Sequence, residues 1–404
     1  MRSTALALAA LLLGQAASAA EPPRPGQRFS LTPAELPPPY ATQSASNPSQ
    51  TARLPPGHAL TLPEGFRSNL FAQGLSHARN LTVAPDGTVF LAQPGLGEVT
   101  LLRDRDGDGV AEIIRPFLTG LDRPHGLAFH DGRLYVADRA AVRRVRISEA
   151  ERPEGAPEVL TAPGALGPGG GHWTRNLAIG RDGSLYVAIG SASNIGIDPE
   201  PRASVQVFGP DGSRRRTYAS GLRNPVGIAF RPGTDELYVV VNERDGLGDG
   251  LVPDYLTRLT SGAFFGWPYA YIGRNPQPGF AERAPEKVAA SQVPDLLFHS
   301  HSAPLGLVFY DGQQFPAEYR GDAFVSLHGS WNAAEPRGYF VARVPFRDGR
   351  PQGHYEAFAT GFWIGGTNTA RVVGRPVGVT VAGDGALLVA DDEANVIWRI
   401  SYGR

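Results

Sequence analysis

Several short segments of this chain set chemically capable side chains beside glycine or proline, where the backbone turns. In Gly169-Gly170-Gly171-His172-Trp173-Thr174-Arg175-Asn176 a flexible glycine run delivers His172 to the start of an apolar strand. Imidazole has the side-chain pKa nearest neutrality, so a histidine held there suits a general base that takes a hydroxyl proton and returns it. A histidine packed into a turn is the plainer alternative. In Gly221-Leu222-Arg223-Asn224-Pro225 the planar guanidinium fork of Arg223 matches a carboxylate, and Asn224 offers both a donor and an acceptor. Arg79, Arg123, Arg175 and Arg375 recur at equivalent places in the sequence. Cations gathered at one end of a fold repel one another unless an anionic ligand or a set of carboxylates is present.

The remaining segments are rich in oxygen and imidazole. Asn242-Glu243-Arg244-Asp245-Gly246, followed by Asp249 and Asp254, has the carboxylates and turning backbone that suit Ca²⁺, although a solvated acidic loop looks the same. Asp104-Arg105-Asp106-Gly107-Asp108 opens like an EF-hand loop, but its twelfth position is Arg115 in place of the bidentate Glu. A Ca²⁺ clipped by Asp104, Asp106 and Asp108 is a second candidate metal site. His299 and His301 would point the same way if their segment were extended. With His328-Gly329-Ser330-Trp331-Asn332 they read as ligand contacts in preference to a transition-metal pair. Trp331 suits stacking on a planar ligand, whereas Trp267 reads as core.

The elements that must hold these residues follow from a phrase that returns six times: Arg or His in a loop, an apolar strand, a turn, and a second apolar strand. Arg123-Pro124-His125-Gly126-Leu127 before Asp131-Gly132, and Arg375-Pro376-Val377-Gly378-Val379 before Asp384-Gly385, are the clearest copies. The others start at Arg79, Arg175, Arg223 and Ala303, the last with Asp311-Gly312 as its turn. One hairpin cannot bury both its faces, whereas four-stranded blades stacked in a ring can. The spacing therefore predicts an all-β chain folded as a six-bladed β-propeller over residues 60–404, with an N-terminal strand completing the last blade. Residues 21–59 are rich in Pro, Ser and Ala and read as an extended lead-in. Two long stretches, Glu243 to Pro294 and His328 to Arg371, interrupt the rhythm and read as function-bearing insertions.

Composition removes several alternatives. A formal net charge of -1 provides no global field for nucleic acid or an anionic membrane. With no cysteine, and Met1 as the sole methionine, the chain has neither disulfides nor thiolate or thioether ligands. Arg2, the apolar run Ala5 to Leu13 and the small residues Ala17, Ser18 and Ala19 read as a signal peptide over residues 1–20, cleaved after Ala19 or Ala20. Export to the periplasm or beyond is the expectation. The run is too short to span a bilayer as a helix.

From about Leu60 to Ser401 the chain resembles the soluble pyrroloquinoline quinone (PQQ) dependent sugar dehydrogenases, in particular the L-sorbosone and aldose sugar dehydrogenase type. The resemblance rests on Gly171-His172, Gly221-Leu222-Arg223-Asn224-Pro225, Phe265-Gly266-Trp267-Pro268-Tyr269, His328-Gly329-Ser330-Trp331-Asn332 and Gly374-Arg375-Pro376-Val377-Gly378. It implies a six-bladed propeller, PQQ and Ca²⁺ as cofactors, and His172 as the base that assists hydride transfer from a sugar or sugar aldehyde. It further implies Arg223, Asn224, Arg375, His328 and Arg123 as cofactor contacts, and the backbone carbonyls of Glu243 and Arg244 as Ca²⁺ ligands. A separate electron acceptor, a cytochrome or a quinone, would take the electrons. The chain departs from the glucose-oxidising members in two places. Its sole lysine is Lys287, so His328 or Arg337 would have to replace the family lysine at the quinone, and Gly171 stands where those members carry Asp.

Two rivals use the same scaffold. A lactonase of the gluconolactonase type would hold a hydrolytic metal on side chains such as Asn224, Glu243 and Asp391, and has no need of clustered arginines. A propeller that binds a glycan or a protein without catalysis is the other.

Overall fold

A computed structural model describes residues 20–403, so the leader expected at the N-terminus lies outside the described residues except for Ala20. The described chain is nearly all β, with one α-helix among those residues, Pro285–Ala290. Six antiparallel sheets of four strands, two of them extended by a fifth, follow one another along the chain. Their first strands are Leu81–Val83, Gly126–His130, Arg175–Ile179, Asn224–Phe230, Pro304–Phe309 and Pro376–Val381. These are the apolar strands of the six repeated phrases. Each pairs with the second strand of its phrase, as Gly126 does with Ala137 and Val381 with Leu387.

The first strands pack on one another in sequence order, and that of the sixth sheet packs on that of the first. The glycine in the phrase explains how the backbones approach so closely. A Cβ at Gly126 would overlap the backbone of Arg175 and Leu177, one at Gly306 that of Val377, and one at Gly378 that of Arg79. The sixth sheet is completed by the N-terminal strand Phe66–Ala72, which pairs with the last strand, Val396–Tyr402. The core lies between successive sheets. Phe90 and Leu101 meet Leu127 and Val136 in one such layer, and Tyr238 and Leu256 meet Leu307 and Phe340 in another. All of these are almost solvent-free, and each such large apolar side chain contributes about 1.5–3 kcal/mol on burial.

Two expectations about local structure need correction. In the fifth phrase Asp311-Gly312 does not close the hairpin; a longer connection through the 3₁₀ turn Ala317–Tyr319 leads to the second strand, Ala323–Leu327. The two long stretches are not simple insertions either. The first supplies Tyr255–Leu259 to the fourth sheet and Ala263–Phe264 to the edge of the third, and the second supplies Phe340–Val344 and Tyr355–Ala359 to the fifth. The lead-in packs along the ring: Arg28–Phe29 adds an edge strand to the fifth sheet, and Gln50–Thr51 runs parallel to Arg371–Val372.

Candidate active site

Because every phrase places its polar residues just before a first strand, they collect at one end of the ring. Loops that follow the second strands arrive at the same end. There, a cavity of about 250 Å³ forms among the loops of the third, fourth and fifth sheets. Its walls include His172, Arg223, Asn224, Glu243, Asp245 and His301, with the half-exposed Trp331 among the lining residues.

His172 is held in one tautomer. Its backbone N–H donates to the Ser191 carbonyl, and its Nδ1 lies 3.0 Å from that carbonyl and 2.9 Å from Ser191 Oγ. Ser191 Oγ donates its own proton to the Ser193 carbonyl at 2.7 Å. Both Ser191 oxygens are therefore acceptors, Nδ1 carries the ring proton, and Nε2 keeps its lone pair. Burial, reinforced by the Arg223 charge, pushes the imidazole down to about 4, so it is neutral at ordinary pH. The glycine loop that carries His172 is fixed from below. Arg202 Nη2 donates to the Gly170 carbonyl at 2.6 Å, and Arg175 Nη1 to the His172 carbonyl at 3.2 Å.

Arg223 is buried, and its guanidinium bridges two loops. Nε donates to the Asn194 carbonyl at 3.0 Å, Nη2 to Asn194 Oδ1 at 2.9 Å, and Nη1 to the Glu243 carbonyl at 2.6 Å. The nearest carboxylate oxygen is that of Asp245, 3.9 Å away. Beside it Asn224 Oδ1 is buried without a hydrogen-bond partner. A side chain at Gly190 would overlap both Asn224 Oδ1 and His172 Cβ, so glycine there lets those two residues stand together.

Three carboxyl groups also line the cavity. Asp254 accepts from the Glu243 and Ala303 amides at 2.8 Å each, and burial raises it to about 6. Glu243 is raised by burial to about 8. Asp245 is partly buried, which raises its pKa, but His301, Arg223 and Asn332 outweigh that effect and hold it low. Asn332 Nδ2 donates to Asp245 Oδ1 at 2.5 Å, and His301 Nδ1 lies 3.4 Å from the same oxygen. His301 Nε2 is buried and unpartnered.

A second cluster occupies the same end of the ring but does not line this cavity. Asp392 receives Arg79 Nη1 at 2.6 Å and His328 Nε2 at 2.8 Å. Arg375 donates from Nε to the His328 carbonyl at 3.0 Å and from Nη2 to the Gly329 carbonyl at 2.7 Å. Arg123 lies over the Trp173 ring, 4.3 Å from its centroid, with Arg79 at 5.7 Å. Trp173 adjoins His172 in sequence and so links the two clusters.

The candidate residues thus divide. His172, Arg223, Asn224 and Glu243 come together around one cavity, while Arg375, His328 and Arg123 stand beside it. Arg175 is removed from the guanidinium set: it is fully buried, and its side chain donates to the carbonyls of Leu166, Pro168, His172, Trp173 and Thr174. Arg337 is engaged by Asp249, with Nη2 2.5 Å from its carboxylate. His301 has φ +68°, so the segment is not extended, and His299 turns instead to the Tyr355 hydroxyl at 2.7 Å. Asp391 of the lactonase set is not in the cavity lining; it accepts from the amides of Arg375, Glu393 and Ala394 and from the Trp398 indole. Trp267 is core. Asp104, Asp106, Asp108 and Glu112 bring one oxygen each within 4.8 Å of the others, in a separate and mostly exposed loop. Ser191, Asp245, Asp254 and His301 complete the site; the sequence offered Asp245 and Asp254 as candidate Ca²⁺ carboxylates and His301 as a ligand contact, and gave no role to Ser191.

The donor set fits a polyanion with a bound divalent cation. Arg223 and the unpartnered Asn224 oxygen offer one donor group and one acceptor, and three carboxylates with the Glu243 carbonyl supply hard oxygens of the kind Ca²⁺ takes, whereas Arg244 does not line the cavity and its carbonyl accepts from the Val252 amide at 3.4 Å. The Glu243 carbonyl is the point of tension, because a cation on that oxygen would sit against the Arg223 guanidinium.

Known proteins resemble this chain over most of its length. A protein from Borreliella burgdorferi is 28% identical over 359 residues, spanning 85% of this chain and 91% of that one. A pyrroloquinoline quinone-dependent pyranose dehydrogenase from Coprinopsis cinerea is 26% identical over 350 residues, 72% of this chain but 45% of the fungal one. The solved PQQ domain of a Coprinopsis cinerea pyranose dehydrogenase, in its holo form, superposes with a TM-score of 0.70 at 21% identity, covering 88% of this chain and 100% of that domain. Residues 195–330 match the Glucose / Sorbosone dehydrogenase family model. Residues 60–252 and 280–403 match the TrAA12-like model, and the chain belongs to the TrAA12-like family.

Proposed function

We propose that this protein is a quinoprotein dehydrogenase, a six-bladed propeller that oxidises an aldose or a sugar aldehyde of the L-sorbosone kind with PQQ and Ca²⁺. The observation that carries the reading is the single cavity in which His172, its Nδ1 proton fixed on Ser191, stands beside Arg223 and Asn224. When bound, PQQ supplies a two-electron acceptor whose reactive carbonyl is polarised by the adjacent cation.

This chain's residues do the rest. Arg223 and Asn224 would hold the cofactor's polar edge, with Arg223 turning from the Glu243 carbonyl onto a cofactor carboxylate. That turn would free the Glu243 carbonyl for Ca²⁺, with the Arg244 carbonyl as a second ligand once released from the Val252 amide. Arg123, exposed over Trp173, and Arg375 add positive charge beside the cavity, while His328, pushed down to about 4 by burial, is neutral. His172 Nε2 takes the proton from the sugar hydroxyl, or from one hydroxyl of a hydrated aldehyde, as hydride leaves the same carbon. Trp331 offers its exposed ring to the sugar. Electrons then pass to a separate acceptor, a cytochrome or a quinone. The leader-like start supports an exported, periplasmic enzyme, and among the described residues no helix is long and apolar enough to cross a membrane. A second Ca²⁺ at Asp104, Asp106 and Asp108 is a separate proposal with no part in the reaction.

Adding PQQ and Ca²⁺ to the cofactor-free protein tests the reading. The expected result is a bound-quinone spectrum and sugar-dependent dye reduction. Lactone hydrolysis without quinone would replace it with the lactonase, and glycan binding with neither activity would replace it with the binding module.

A further inference from the structure

The lead-in is built into the rim of the cavity. Its segment 40–47 crosses two of the loops that form the cavity wall. At one end Tyr40 N donates to the Leu247 carbonyl at 2.7 Å, Asp249 N donates to Thr42 Oγ1 at 2.9 Å, and Gly248 N to Ser44 Oγ at 3.2 Å. The 247–250 loop is shaped to accept it. Gly248 has φ +110°, and a side chain there would meet the Thr42 carbonyl at 2.8 Å; one at Gly250 would meet Pro37. At the other end a single residue ties three strands of chain together. Asn47 N donates to the Trp331 carbonyl at 2.7 Å, and its Nδ2 reaches the carbonyls of Ala333, Ala334 and Asn368 at 3.1, 3.2 and 2.7 Å. Its Oδ1 accepts from Thr369 Oγ1 at 2.7 Å.

The loop so tied carries Trp331 and Asn332. Asn332 reaches inward to Asp245, while Trp331 is more than half exposed, its carbonyl clasped by Asn47. The strap is anchored beyond both ends by the Arg28–Phe29 and Gln50–Thr51 pairings. It also lies outside the family match, which begins at residue 60. None of its residues touches Arg223 or Asn224 through a hydrogen bond.

We infer that residues 40–47 are a positioning strap, with Asn47 as its clasp, that holds the Trp331-Asn332 wall and thereby sets substrate affinity without taking part in cofactor binding. The second half of this inference rests on the dehydrogenase reading above; the first does not. Asn47→Asp turns a carboxylate toward three carbonyls, and Asn47→Ala removes the clasp.

Two measurements on the full chain separate the parts. Hydrogen exchange of residues 330–334 and acrylamide quenching of Trp331, assigned with Trp331→Phe, are read on the cofactor-free protein. Both should rise in Asn47→Asp, with exchange faster by about ten-fold as the clasp bonds are lost. Unchanged exchange and quenching would overturn the strap, whatever the protein catalyses. With PQQ and Ca²⁺ present and D-glucose as probe, KM should rise about five- to ten-fold while kcat and PQQ affinity stay within about two-fold. Equal loss of PQQ affinity, or an unchanged KM, would overturn the substrate half. Should wild type show no quinone binding, the dehydrogenase reading and with it the substrate half fall, and the exchange result alone decides the strap. Thr42→Val, at the far end, should loosen the 247–250 loop in the same exchange assay and serves if Asn47→Asp does not fold.

Discussion

Replacing His172 with glutamine removes the base while keeping an amide that can donate toward Ser191. The Nδ1 contacts at 3.0 and 2.9 Å fix the ring so that only Nε2 is available to accept a proton. Loss of a positioned general base costs about 10²–10⁴ in turnover, or roughly 2.7–5.5 kcal/mol of barrier. Stopped-flow reduction with saturating sugar and preloaded PQQ reads this step directly, and a PQQ titration of the same variant should match wild type. The pKa supplies an independent check. At about 4, His172 in the cofactor-free protein is neutral at pH 7 by about a thousand to one. Its NMR titration should therefore run well below that of a free histidine, and move up when an anionic ligand occupies the cavity, because negative charge favours imidazolium. The sign for stability follows. The folded pKa lies below the unfolded value, so the unfolded chain binds the extra proton and stability from this group falls as pH drops from about 6.5 toward 4. His172→Gln should flatten that part of the profile. Turnover within ten-fold of wild type, with cofactor binding intact, would refute the assignment of His172 as the base.

Other perturbations test the supporting structure. Arg223→Ala should weaken PQQ binding by about 1.5–3 kcal/mol, roughly 10- to 150-fold in Kd, measured by fluorescence titration. Arg175→Leu leaves several buried carbonyls without their donor and should lower stability by about 3 kcal/mol or more in chemical denaturation. Gly171→Ala would place a methyl group into the Ala192 backbone at φ +56°, with an expected stability loss of about 1–3 kcal/mol and a fall in kcat from the displaced imidazole.

The strands were legible in the sequence because their periodicity is local: each phrase became the first two strands of one sheet. The glycine of the phrase was visible too, yet its reason, backbone contact with the next sheet, appears only in three dimensions. The arginines show where sequence reading stops. Arg175 and Arg223 occupy the same place in their phrases, but one donates to the loop around it and the other faces a cavity. Backbone carbonyls are their main acceptors and every residue has one, so side-chain identity could not separate the two. Ser191 went unassigned, and Asp254 and His301 stood only as members of broad candidate sets, for a related reason: each acquires its partners from a loop many residues away. The Pro-rich lead-in carried no periodicity at all, and its use is apparent only from the glycines and carbonyls that receive it.

A crystal structure of the protein loaded with PQQ and Ca²⁺ tests the central claim most directly. The account predicts the quinone in the cavity between His172 and Arg223, with a cofactor carboxylate on the Arg223 guanidinium and His172 Nε2 facing the reactive carbonyl. Quinone bound elsewhere on the ring, or Arg223 still donating to the Glu243 carbonyl with no ligand contact, would contradict it.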